Sequence, residues 1–275
     1  PELIMDPHQQ DAMELAAIAL LTNEKAFSII HSCGSGKTIL EGNLAVASQR
    51  AKEELGMHDT QDVILTTQRA LLHSIYEKLD DLGLDVGMWG SHKRQLDRPV
   101  ILSSIQSIQH GIVRGDLSKK LKVDEVPLLI GDEADLFLTQ SRKNAVSQFP
   151  NALKIGLTAT DTWPDGRDVE DLWGQKIHEM RLKEGILNGV NVPPLYYLFE
   201  ANLDDSQLQY AQGDYELKSL QAGLKEAEIQ KAVPEIYEAL VPEKRRKDFP
   251  TLVYVPSINL VNATVQELKD KLAGK

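Results

Sequence analysis

One cysteine in 275 residues, Cys33, leaves no partner for an internal disulfide and rules out a cysteine-rich zinc site. That usage suits a reducing compartment. No apolar run approaches the roughly 20 residues that a membrane-spanning helix needs. The opening Pro1-Glu2-Leu3-Ile4-Met5 lacks the basic-then-apolar plan of a secretory signal. A cytoplasmic protein with no membrane partner is therefore expected. Basic charge is also in deficit: 30 Lys and Arg face 41 Asp and Glu, for a net charge of −11. This argues against a broad basic surface for nucleic acid, although a local groove lined by backbone N–H groups and a few cations remains compatible with it. The seven histidines show no metal-ligand spacing and read as core or surface residues.

The length allows one large or two modest domains, and 42% hydrophobic with 26% charged residues is an ordinary globular composition. The most informative stretch is His31-Ser32-Cys33-Gly34-Ser35-Gly36-Lys37-Thr38. It follows the apolar run Ala26 to Ile30, which reads as a buried strand, and precedes Ile39 to Arg50, which reads as a helix. A phosphate-binding loop needs that setting. Gly34 and Gly36 let the backbone around Ser35 turn its N–H groups onto phosphate oxygens, Lys37 can reach the β- and γ-phosphates, and Thr38 can ligate Mg²⁺. ATP and Mg²⁺ are the cofactors this predicts. The pattern G-x-x-x-x-G-K-[ST] asks for glycine where this chain has His31, so the match rests on Gly34 to Thr38.

In chain order, Asp6 to Leu21 reads as a helix opened by Asp-Pro, with Met13, Ala16, Ala17 and Leu20 on its apolar face. Short apolar runs at Val63 to Thr66, Val100 to Leu102, Pro127 to Ile130 and Lys154 to Leu157 read as strands separated by helical sequence. The alternation predicts an α/β fold with a mostly parallel sheet, ligands gathering at the carboxyl ends of its strands. One of those ends carries Asp132 and Glu133. There Asp132 would hold Mg²⁺ and Glu133 would orient or deprotonate an attacking water.

Three ordered motifs, Gly34 to Thr38, the literal Asp132-Glu133-Ala134-Asp135 and Leu157-Thr158-Ala159-Thr160, resemble motifs I, II and III of superfamily 2 helicases. Smaller matches join them. Pro7-His8-Gln9 resembles the P-x-Q element, which implies that Gln9 reads adenine. Thr67 to Leu71, with Arg69, resembles motif Ia, departing from it at Thr67 and Gln68. Ser104-Ile105-Gln106 resembles a segment whose Ser104 and Gln106 positions touch the nucleic-acid backbone. The resemblance assigns Thr158 and Thr160 to coupling between nucleotide state and lobe movement. Asp165-Gly166, Leu172 to Gly174, Gly185 to Gly189 and Pro193-Pro194 resemble restriction-enzyme motor subunits and repair translocases. That branch implies double-stranded DNA as the track. A DEAD-box-like RNA-remodelling ATPase is the alternative, weakened by Asp161 after the Thr-Ala-Thr string, and a nucleotide-binding module without turnover is another.

The resemblance divides the chain into a RecA-like ATP-binding lobe over 1–195 and, over 196–275, a helical linker with the start of a second RecA-like lobe. Asp204 to Val241 reads as helices broken near Pro234 and Pro242, Thr251 to Val255 as a strand, and the helix after Pro256-Ser257 as carrying Ile258, Val261, Val265, Leu268 and Leu272 on one face. Lys244 to Lys247 reads as a solvated linker. Trp163, Trp173, Tyr196 and Tyr197 read as packing residues rather than base-stacking ones. Nothing resembles motifs V and VI, so a fragment is expected, poorly active by itself and completed by a C-terminal lobe or partner subunits.

Overall fold

A computed structural model describes residues 5–90, 92–198, 206, 208–211, 214–226, 228–246 and 248–272. Contacts divide the chain into two compact units, Pro1–Pro194 and Leu195–Lys275.

The first unit is built on an eight-stranded sheet. Its strands are β1 (Ala26–His31), β2 (Asp62–Thr66), β3 (Val86–Gly90), β4 (Lys93–Arg94), β5 (Val100–Ser104), β6 (Leu128–Asp132), β7 (Leu153–Thr158) and β8 (Gln175–Met180), in the spatial order β4-β3-β5-β2-β6-β7-β1-β8. Every pairing is parallel except that of the edge strand β4 with β3. The helices are α1 (Pro7–Leu21), α2 (Lys37–Leu55), α3 (Leu72–Asp81), α4 (Ile105–Arg114), α5 (Leu117–Lys120), α6 (Gln140–Val146), α7 (Glu170–Trp173) and α8 (Leu182–Leu187).

Successive side chains of a strand point to opposite faces, so a strand covered on both sides must be apolar without interruption. Val63-Ile64-Leu65 meets that demand: Ile64 joins a core with Ala12, Ala16, Leu40 and Leu79, while Val63 and Leu65 join another with Ile105, Ile108, Phe137 and Trp173. Trp173 lies flat on two glycines. A Cβ at Gly131 would come within 2.3 Å of the indole, and one at Gly156 within 2.6 Å. The indole nitrogen donates to the Ala134 carbonyl at 3.1 Å, and Phe137 meets the ring edge-on. Trp173 is thus a core residue, while Tyr196 and Tyr197 are exposed.

The buried face of α1 is His8, Gln9, Ala12, Ala16 and Ala19. It is rotated from the expected one, with Ala17 and Leu20 exposed, because the polar His8 and Gln9 turn inward toward the loop after β1.

The second unit contains α9 (Leu217–Glu226), α10 (Ile229–Leu240), α11 (Ile258–Leu272) and a short hairpin of β9 (Tyr210–Ala211) with β10 (Asp214–Tyr215). Three expectations are corrected here. Pro234 does not break α10: it sits sixth in the helix, and the one intrahelical donor it removes is that to the Gln230 carbonyl. Residues 251–255 form no strand, because no ladder partner lies beside them among the described residues. The buried positions of α11, which packs against α10, are Leu260 and Thr264, leaving Ile258, Val261 and Val265 exposed. Arg246 donates to the carbonyls of Glu238 and Val241 at the end of α10, so one member of the basic cluster is a helix cap. Lys247 and Asp204 lie outside the described residues.

Candidate functional site

The sheet's carboxyl edge places the loop 32–36 between β1 and α2. Gly34 and Gly36 have φ of +81° and +79°, left-handed values that side chains resist. Beneath the loop, Gln9 Nε2 donates to the carbonyls of Ser35 and Gly36, both at 3.2 Å, while Gln9 Oε1 accepts from the Asp6 N–H at 2.9 Å. His8 Nε2 lies 2.9 Å from the Ser35 carbonyl. Gln9 is 1% exposed, so its amide holds the loop and is not presented to a base. From the other side Asn191 accepts the Ser32 hydroxyl at 2.6 Å and donates to the Cys33 carbonyl at 2.8 Å. A cleft of about 680 Å³ beside the loop is lined by Pro7, His8, Asp11, Gly34, Asn188 and Val190 among others.

Lys37 opens α2, and its Nζ lies 3.4 Å from the His31 carbonyl. Thr38 follows, partly buried. Asp132 ends β6 and is buried, and Glu133 sits just beyond with φ of +52°. Burial pushes both carboxyls upward; at Asp132 a hydrogen bond with Glu41 opposes this first, then the Lys37 charge and the Thr66 hydroxyl, and at Glu133 the Lys37 charge opposes it. A third acid joins them. Glu41, one turn along α2 from Lys37, is pushed well above the usual carboxylate range by burial first and by the Asp132 carboxyl second.

Thr158 ends β7, between β6 and β1, and is fully buried. Its hydroxyl donates to Asp135 at 2.5 Å and accepts from the Thr160 N–H at 3.1 Å, while Thr160 itself is exposed. Asp161 binds Arg181 and Lys176, whose hydrogen bonds hold its carboxyl far below the usual range. This pins the segment after β7 to the β8 side of the sheet.

His31 fills the position where the motif wants glycine. It is buried, its Nε2 lies 2.8 Å from His178 Nδ1, and the His8 ring centroid is 5.3 Å away. Burial, then the charges of His178, His8 and Lys37, lowers its pKa to about 3, so the ring is neutral.

The three residues expected at a polynucleotide lie elsewhere, after β2 and β5. Arg69 opens an exposed 3-10 turn. Ser104 is fully buried, and its hydroxyl caps α4 by accepting from the Ser107 N–H at 3.2 Å, so it cannot touch a strand at the surface. Gln106 donates to the Thr67 carbonyl at 3.0 Å. Sequence reasoning missed Asn191, Glu41 and the histidine cluster. Of these only Glu41 left a readable signal, an acid four residues after Lys37 beside the buried Leu40, Leu44 and Ala45.

A family model described as "Type III restriction enzyme, res subunit" matches residues 2–162, more than half of the chain. No curated protein matches. Among solved structures, a fragment of a putative HsdR subunit of a type I restriction enzyme from Vibrio vulnificus is 16% identical with a TM-score of 0.63, covering 99% of this chain and 46% of that one. The type ISP restriction-modification enzyme LlaGI, solved with a DNA substrate mimic, is 14% identical with a TM-score of 0.53, covering 99% of this chain and 30% of that one. The UvsW helicase of bacteriophage T4 is 14% identical, with a TM-score of 0.47 and coverage of 64% and 60%. The chain thus spans between 30% and 60% of these proteins. The fold is that of a RecA-like helicase lobe. No helix among the described residues is long and apolar enough to cross a membrane.

Proposed function

We propose that this chain, which belongs to the family of type III restriction enzyme res subunits and so to the superfamily 2 helicase and translocase ATPases, carries the ATP-binding lobe of a motor that works on duplex DNA. The observation that carries the reading is the meeting of Lys37 with Asp132 and Glu133 beneath a loop held open by two left-handed glycines.

Lys37 and the loop N–H groups take the phosphates, and the cleft between Pro7, Asp11 and Val190 takes the nucleoside. The residues present fit Mg²⁺. The Thr38 hydroxyl and the Asp132 carboxylate are hard oxygen donors of the kind Mg²⁺ takes, one or two from the protein beside the substrate phosphates. Thr38 and Asp132 would hold it, and bound Mg²⁺ would neutralise charge on the phosphates. Glu133 orients the attacking water and takes its proton. Its raised pKa makes it a stronger base, and its positive φ is the kind of backbone strain that collects at reacting centres. Thr158, joined to Asp135 and Thr160, relays a change at the acids to the exposed turn after β7.

Arg69 and the turn after β2 provide the polynucleotide contact, with Gln106 fixing the Thr67 backbone behind it. A contact resting on Arg69 predicts weak, sequence-blind binding. The test is titration of fluorescent duplex DNA, single-stranded DNA and duplex RNA with Mg-ATP at rising salt. Duplex DNA should bind best, and the signal should vanish with modest salt. Preference for duplex RNA would move the reading to the RNA-remodelling class, and salt-resistant recognition of one sequence would overturn it.

A further inference from the structure

Glu41 is the fully buried carboxyl that the reading above leaves unused. It sits one helical turn from Lys37, faces Asp132, and lies in the field of Glu133. Neither of its oxygens meets an N–H or hydroxyl donor among the described residues. A buried carboxyl left so costs stability, and an apolar side chain of similar volume would cost less. Asp132 can pair with one of these oxygens only by sharing a proton, which leaves the other without a partner. Lys37 is the donor nearby, and a triphosphate claims that ammonium. The partner must then be a donor that arrives with the ligand. Mg²⁺ gives up its water shell reluctantly, and water on a cation presents only its hydrogens outward.

We infer that Glu41 is an outer carboxylate of the Mg-ATP site, accepting a hydrogen bond from a water held by the metal ion and so positioning the ion against Asp132 and Thr38. Glu41 does not ligate the ion. It works through the water, as residues behind metal ligands generally do. This rests on the Mg-ATP reading.

The experiment titrates ATP calorimetrically into the full chain, in excess Mg²⁺ and in EDTA, for wild type, Glu41→Leu and Glu41→Gln, with ligand-free thermal unfolding of each. The gain in ATP affinity produced by Mg²⁺ should fall about tenfold in Glu41→Leu, a typical loss for a residue behind a metal ligand. It should fall less in Glu41→Gln, which keeps one acceptor oxygen. Affinity in EDTA should not fall in either, and Glu41→Leu should melt no lower than wild type. An equal Mg²⁺ gain in all three proteins overturns the inference. So does a parallel loss with and without metal, or a lowered melting temperature in both variants, since these assign Glu41 to the loop or the core. Absence of ATP binding by wild type in both conditions overturns the Mg-ATP reading itself, a result distinguishable from the other three.

Discussion

Two stretches of one sheet edge lie side by side and are made of different material. The ends of β1, β6 and β7 bring together Lys37, Glu41, Asp132, Glu133 and Asp135. The ends of β2 and β5 carry Thr66, Thr67, Ser103 and Ser104, backed by Gln106, with no titratable side chain until the exposed Arg69. The boundary runs between Thr66 and Asp132, directly paired across the ladder. Burial presses on both stretches alike. On charged groups it shifts protonation and stores free energy that a cation or phosphate can release. On hydroxyls and amides it only requires a partner, which Ser104 finds at Ser107 and the Gln106 Nε2 at Thr67, while Gln106 Oε1 and the Thr67 hydroxyl find none among the described residues. The charged stretch is arranged for chemistry and the neutral one for holding shape, so substitutions should separate by size and by what they change.

The largest effect is expected at Lys37. Replacing it with alanine removes a charge-assisted phosphate contact of roughly 1.5–3 kcal/mol, about 10- to 150-fold in ATP affinity. Equal calorimetric affinity of wild type and Lys37→Ala would erase the distinction between the stretches. Next comes Asn191→Ala, which strips two hydrogen bonds from the loop and leaves the Ser32 hydroxyl buried without its acceptor. It should cost about 1–3 kcal/mol in denaturant unfolding and weaken ATP binding as well. Lost stability with intact ATP affinity would mean that the loop holds its shape without this residue.

His31 sharpens the comparison through pH. Folded, it titrates at about 3 against an ordinary 6.5, so between those values the unfolded chain binds the extra proton and stability falls as pH falls. His8, His178 and Lys37 face it, and Asp11 acts on His178, whose own pKa is lowered mainly by burial. His31→Asn should therefore flatten the decline in melting temperature between pH 6.5 and about 4. An unchanged slope would place the acid sensitivity elsewhere. The smallest effect is expected from Ser104→Ala on the neutral stretch: about 1 kcal/mol of stability from a lost helix cap, with ATP affinity untouched. A matching loss of ATP affinity would join the two stretches into one site.

What the sequence showed follows from range. Five strands of the sheet announced themselves as short apolar runs because both faces of each are covered. β3 hid because Gly87 and Gly90 dilute its run, and β8 because an edge strand reading Gln-Lys-Ile-His-Glu-Met has no apolar stretch. The loop was legible since its chemistry is local, Gly34 through Thr38 in one turn of chain. Asn191 and His178 reach it from about 150 residues away, a proximity created by the order of the strands and by no feature of their own sequence. Gln9 and Ser104 were found in position, but their burial and bonding, which decide what they can touch, depend on neighbours that a motif does not display.

Trp173 gives the chain an optical gauge. Its indole is sealed from water and its nitrogen is tethered to the carbonyl of Ala134, the residue right after the acid pair. Emission from such a ring is blue. With Trp89 and Trp163 replaced by phenylalanine, movement of the 134–137 turn that broke the tether or let water in would shift the remaining emission red, so the acids' surroundings can be followed by light with no label attached.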